Sequence, residues 1–385
     1  MNVYLDNAST TFPKPKAVSE AMYNFLINIG GNPGRSNHDN ALETNRLLLE
    51  ARESIASFFN FNKMENVIFT SNITSSLNIL INGILKKGDH VITSSMEHNS
   101  VIRPLYSLKE NNIIELDIIS ADSFGFISPA DIENKIKENT KLVVITHASN
   151  VFGSIQPIRE IGEVCKKHNI FFVIDSAQSA GVLNIDFKDF NLSALAFTGH
   201  KSLFGPQGTG GFIINDDLNS ICSPYALGGT GSLSYSLTQP DFLPDKFESG
   251  TLNMPGICGL LEGIKFINNE GLNTIYEKNS YLRSYLVEEL HNINNVILYD
   301  SIEKADSYTS CVSFNIKGLD TSELSYLLDS DYNIKNRSGL HCSPLAHKTI
   351  GTYPSGTVRL SISYFNTKDE IDYAISSINN IIKSI

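Results

Sequence analysis

The chain has 385 residues, with 30 basic against 41 acidic side chains and a net charge of −11. That length is enough for two to three structural units of about 150 residues. Hydrophobic residues at 41% and charged residues at 18% exclude a disordered or low-complexity chain, and the acidic balance argues against nucleic-acid or anionic-membrane partners, which clustered Lys and Arg would hold.

Residues 1–7, Met-Asn-Val-Tyr-Leu-Asp-Asn, lack the basic-then-apolar pattern of a secretory signal, and no apolar run reaches the ~18 residues of a membrane span. A soluble, cytoplasmic chain is expected. Short apolar runs follow at Asn66-Val67-Ile68-Phe69-Thr70, His90-Val91-Ile92-Thr93, Leu142-Val143-Val144-Ile145-Thr146, Ile170-Phe171-Phe172-Val173-Ile174 and Gly211-Phe212-Ile213-Ile214. Most show no in/out alternation, as in strands buried on both faces of a parallel sheet. Between the first two, Leu77, Leu80, Ile81, Ile84 and Leu85 fall on one helical face. Beyond residue 260 the pattern becomes a long helical segment. Strands are expected at Cys311-Val312-Ser313-Phe314-Asn315-Ile316 and Val358-Arg359-Leu360-Ser361-Ile362, before a last helix that opens on the capping box Thr367-Lys368-Asp369-Glu370. The expected fold is α/β: a large domain over 14–260 with a mainly parallel central sheet, and a smaller α+β domain from 1–13 and 261–385. The five cysteines, Cys165, Cys222, Cys258, Cys311 and Cys342, are too few and scattered for a disulfide framework, and no CxxC pair points to zinc.

Polar clusters sit where the strands end. Phe197-Thr198-Gly199-His200-Lys201 precedes a glycine-rich stretch; a lysine there can form a Schiff base near phosphate ligands, or be a plain surface lysine in a turn. Asp175 ends an apolar strand, where open α/β sheets bind ligands. It can pair with a protonated pyridine nitrogen or simply cap a helix. Glu97-His98-Asn99-Ser100 offers an imidazole to stack on a flat ring, and Asn150 a donor to a ring oxygen; each is equally at home in a turn. Thr70-Ser71-Asn72-Ile73-Thr74 opens a helix whose free N–H groups and Thr74 hydroxyl suit a phosphate, or only its cap.

Taken together, these stretches resemble the class V aminotransferase-fold enzymes, dependent on pyridoxal 5′-phosphate, of the cysteine desulfurase and selenocysteine lyase family. The resemblance runs from Tyr4-Leu5-Asp6-Asn7-Ala8-Ser9-Thr10-Thr11 through Gly31-Asn32-Pro33-Gly34, Glu97-His98-Asn99, Asp175-Ser176-Ala177-Gln178 and Thr198-Gly199-His200-Lys201 to the last helix. It implies the type I fold of these transferases. It also implies that Lys201 carries the cofactor, Asp175 pairs with the pyridinium nitrogen, Gln178 and Asn150 reach the ring hydroxyl, and His98 stacks on the ring. Ile73, Thr74, Thr198 and His200 would hold the phosphate, and Thr251 in Glu248-Ser249-Gly250-Thr251 would reach the phosphate of a partner in a homodimer. Asn72 stands where the family usually has glycine; asparagine tolerates left-handed backbone, so a local adjustment is expected.

The segment Arg337-Ser338-Gly339-Leu340-His341-Cys342 resembles the family's Arg-x-Gly-x-His-Cys. A thiolate is a strong nucleophile, and a histidine or arginine beside it lowers its pKa; otherwise Cys342 is one more buried thiol. The resemblance further implies that Arg359 grips the substrate carboxylate, a bidentate task suited to guanidinium, and that Asn7 is also at the substrate; otherwise Arg359 is a strand-edge arginine in a surface ion pair. These residues point to L-cysteine desulfuration, in which Lys201 moves the Cα proton and Cys342 takes the sulfur for a small acceptor protein. Selenocysteine lyase and a pyruvate-releasing C–S β-lyase share the same frame. A non-catalytic scaffold would need none of Lys201, Asp175, Arg359 and Cys342.

Overall fold

The structure, a computed structural model, describes residues 1–34, 38–301 and 307–384. Its strands in chain order are β1 (Val3–Tyr4), β2 (Val67–Thr70), β3 (Asp89–Ser94), β4 (Ile114–Ile119), β5 (Thr140–Thr146), β6 (Phe171–Asp175), β7 (Ala194–Thr198), β8 (Gly210–Ile214), β9 (Val296–Leu298), β10 (Cys311–Ile316), β11 (Ile334–Lys335), β12 (Arg337–Gly339) and β13 (Thr357–Ser361). Seven of them form one sheet in the order β2-β8-β7-β6-β5-β3-β4. Only β8 runs against its neighbours β2 and β7, so the expectation of a mainly parallel sheet holds.

Alternate side chains of these strands feed two cores, which explains the uninterrupted apolar runs. Ile92, Val143, Ile145, Phe172 and Ile174 pack on one face with residues of helices Asp39–Phe58, Ile158–Lys167 and Met254–Glu270. Val91, Leu142, Val144 and Val173 pack on the other with helices Ile73–Ile84 and Asn99–Glu110. A sheet covered on both faces leaves only its strand ends open to ligands. The chain order reverses between β3 and β5, and the loops leaving these two strands carry His98 and Asn150.

The C-terminal part forms a four-stranded antiparallel sheet, β12-β13-β10-β9. Helices Leu272–His291, Thr321–Ser330 and Lys368–Ser384 close its core. The N-terminus joins it, since β1 pairs with β11 and Asp6 bridges to Ser361. The long helical segment is two helices, broken where Gly271 turns at φ +86°. The capping box forms as read: Glu370 N–H donates to Thr367 Oγ1 at 3.3 Å, and Thr367 N–H to Glu370 Oε2 at 3.0 Å. The sequence pattern carries that helix's apolar face from Ile371 to Ile385, of which Ile385 lies outside the described residues.

Candidate active site

The loops leaving β3 and β5 meet the segment after β12 and Arg359 of β13, through Asn99 on the Cys342 carbonyl, Asn150 on the His341 carbonyl and Arg359 on the Asn150 carbonyl. The loops leaving β6 and β7 meet the N-terminal segment at Ala8, Thr10 and Thr11. Asp175, the last residue of β6, is buried; its Oδ1 accepts the Ala177 N–H at 2.9 Å. Burial raises its pKa, against the opposing pull of the Ala177 N–H, Lys201 and the Ser100 hydroxyl. Lys201 follows β7. Burial draws its amine down to about 8, with Asp175 pulling the other way and Arg359 and Arg337 adding to the fall. An amine held near neutrality is a competent nucleophile and proton carrier, and an ordinary lysine is not.

His98 caps helix Asn99–Glu110. Its Nδ1 accepts the Ser100 N–H at 3.0 Å, while burial, then Lys201 and three arginines, push its pKa down to about 4. The ring is neutral and its direction is set by Ser100, whose hydroxyl also serves Asp175. Cys342 is the one exposed cysteine, the other four being buried. Its Sγ lies 3.6 Å from Arg337 Nη2. Cys342, His98, Ser100, Thr74 and Arg103 line one cavity of about 520 Å³.

Two further polar atoms near Lys201 in the sequence are unengaged among the described residues. Thr198 Oγ1 and His200 Nδ1 are buried without a hydrogen-bond partner among the described residues, although such atoms are normally satisfied. Both are atoms that can donate to an anionic group. With the helix end at Ile73–Thr74, the Asp175 carboxylate and the Lys201 amine, they fit a phosphorylated pyridine aldehyde.

The family model Aminotransferase class-V matches residues 3–374. A "Probable cysteine desulfurase" of Methanothermobacter thermautotrophicus is 35% identical over 375 residues, covering 96% of this chain and 92% of that protein. The chain belongs to the cysteine desulfurases. A "Cysteine desulfurase IscS" of Clostridium botulinum is 32% identical over 400 residues, 99% of this chain and 94% of that protein. The apo structure of the cysteine desulfurase from Thermococcus onnurineus NA1 has a TM-score of 0.93 and 33% identity, covering 100% of this chain and 95% of that one.

Against this cysteine desulfurase frame, several side chains stand differently from expectation. Asn7 is buried inside the fold: its Nδ2 donates to the Ser361 carbonyl at 2.9 Å and to Asn366 Oδ1 at 3.2 Å, and its Oδ1 accepts from Phe12 N–H. An amide so occupied ties the N-terminal segment to β13 and is not free for substrate. Gln178 donates Nε2 to the Ala8 carbonyl at 3.0 Å. Asn150 donates to the His341 carbonyl at 2.6 Å and accepts from Ser343 Oγ at 2.7 Å. Arg359 is buried with Nη1 on the Asn150 carbonyl and Nη2 on Asp6 and Ser9; its Nε has no partner among the described residues.

His341 does not assist Cys342. Its ring turns inward to Thr357, and burial holds its pKa well below the usual value, so Arg337 is the cation at the sulfur. Asn72 needs no left-handed backbone: its φ is −174°, and its Oδ1 caps the helix by accepting the Ser75 N–H at 2.9 Å. Thr251 is exposed and lines a separate hollow with Arg52, Gly229 and Gly250, away from Cys342. Ser100 and Ser9 were not singled out by sequence. Ser9 accepts from both Arg337 and Arg359, and the only hint was its place in the N-terminal family motif.

Proposed function

We propose that the chain is a cytoplasmic homodimer that converts L-cysteine to L-alanine and leaves the sulfur as a persulfide on Cys342 for a small acceptor protein. The observation that carries this reading is the exposed Cys342 thiol, 3.6 Å from the Arg337 guanidinium in a cavity shared with His98. Pyridoxal 5′-phosphate would be held by Lys201, by Asp175 at its ring nitrogen, by His98 at its ring, and by Ile73, Thr74, Thr198 and His200 at its phosphate. Thr251 of the partner would complete the site, and Gln178 and Asn150 would turn an amide hydrogen to the ring hydroxyl. When bound, the cofactor supplies electron withdrawal that weakens the substrate's Cα–H and Cβ–S bonds. In this reading the large domain is 14–260, and 1–13 with 261–385 form the small domain that brings Arg337, Cys342 and Arg359 to it.

The protein's own groups divide the remaining work. The unpartnered Nε of Arg359 and the Arg337 fork attract the substrate carboxylate. The Lys201 amine, drawn down to about 8 by burial, takes the Cα proton and returns protons to the carbon skeleton. The Arg337 guanidinium lies 3.6 Å from the Cys342 sulfur. That sulfur bonds to the substrate sulfur as the Cβ–S bond breaks, and the bonding pair leaves with the carbon skeleton, which becomes alanine on protonation. Incubation with L-cysteine and quantification of alanine, pyruvate and sulfide tests the reading: alanine matching released sulfur supports it, and pyruvate as the product contradicts it.

A further inference from the structure

Cys342 stands in the left-handed backbone region at φ +62°, directly after His341 at φ +47°. Two such non-glycine residues in succession persist only where the surroundings hold them. One side chain holds both flanks of the thiol. Asn150, on the loop leaving β5, donates Nδ2 to the His341 carbonyl at 2.6 Å and accepts the Ser343 hydroxyl on Oδ1 at 2.7 Å. A carbonyl oxygen only accepts, so the amide's orientation is fixed by its partners. The Cys342 carbonyl itself accepts the Asn99 N–H at 2.8 Å, beside His98. Arg359 Nη1 in turn fixes the Asn150 carbonyl at 2.7 Å.

We propose that Asn150 is a positioning residue for Cys342: its amide clamps residues 341 and 343, holds the strained turn between them, and so keeps the sulfur beside Arg337 and the cavity. This rests on the desulfurase reading, in which Cys342 is the sulfur acceptor. The bond to His341 uses one of the two hydrogens on Nδ2, so a second contact into the cavity is compatible with the clamp. A displacement of about 1 Å at a reacting atom costs on the order of 100-fold in rate, and loss of one arm of the clamp is expected to give part of that.

Ser343→Ala in the holoenzyme removes one arm and leaves Asn150, Lys201 and Arg359 in place. The cofactor absorbance and the KM for L-cysteine, within about twofold, should be unchanged, while kcat falls about tenfold or more. Ser343→Thr, which restores the hydroxyl, should recover it. Iodoacetamide labelling of Cys342 with peptide mapping reads the placement of the thiol without any turnover, and its rate should change about threefold or more in Ser343→Ala. If the parent protein does not desulfurate L-cysteine, the functional reading fails, and the labelling rates still decide the clamp. A Ser343→Ala protein with labelling within about threefold of the parent, or a kcat loss that Ser343→Thr does not recover, overturns the proposal. Asn150→Ala should move labelling further in the same direction; if that variant does not fold, the two serine variants still give the answer.

Discussion

Lys201 is the residue on which the site turns, and its environment sets a pH window. Its amine titrates at about 8, mainly through burial, against about 10.4 for a free lysine. Covalent capture of the cofactor aldehyde needs the neutral amine. The rate of reconstitution of the stripped protein should therefore rise between about pH 7 and 9 and level off above. Stopped-flow absorbance checks this, and a rise centred near pH 10 would contradict it. Borohydride reduction and peptide mapping should place the pyridoxyl group on Lys201. Asp175 was legible in the sequence because it ends an apolar strand, and Lys201 because of the Thr198-Gly199-His200-Lys201 motif that carries it; the segment joining β6 to β7 is turns, with no helix among the described residues. Asn7 was not legible. Its partners Ser361 and Asn366 are some 350 residues away, and no local pattern shows which of two polar tasks an amide performs.

The elements were read most surely where branched residues crowd a strand, as in Val143-Val144-Ile145. Two strands of the seven-stranded sheet escaped. β7, Ala194-Leu195-Ala196-Phe197-Thr198, has no β-branched residue except its last, and its alanines and leucine resemble a helix or loop. β4, Ile114–Ile119, is an edge strand whose Glu115 and Asp117 face Lys137; its alternation is that of a half-exposed strand, not of the buried ones around it. The turn after β6 makes a sharper demand. Gly181 has φ +85°, and a Cβ there would lie 2.1 Å from the Ser202 carbonyl, next to Lys201. Gly181→Ala should cost about 2–4 kcal/mol by urea denaturation and weaken cofactor binding by displacing the Lys201 loop. An unchanged midpoint with full cofactor absorbance would contradict that account.

At the scale of the whole molecule, the parts of the site come from far along the chain; of the exposed apolar residues, Tyr225 lines the Cys342 cavity, and others lie apart from that lining. Tyr23, Leu26, Ile27, Leu227, Tyr235 and Leu237 are all largely exposed, as expected of a surface that a second copy covers. Sedimentation should find a dimer at micromolar concentration, and Thr251→Ala should weaken cofactor affinity without altering the Cys342 cavity of its own chain. A cofactor-loaded, active monomer would refute the shared site. The large and small sheets were legible from texture alone, whereas the boundary near residue 260 falls inside helix Met254–Glu270, where an unbroken helix carries no compositional signal. If Cys342 accepts the substrate sulfur, Cys342→Ala removes the acceptor and little else. With L-cysteine in a single turnover, the parent should yield one persulfide on Cys342 per alanine, and the variant should bind cofactor and substrate normally. Its alanine formation should fall by orders of magnitude, since neither a methyl group nor any buried thiol can replace the nucleophile. Undiminished alanine production by Cys342→Ala would contradict the account.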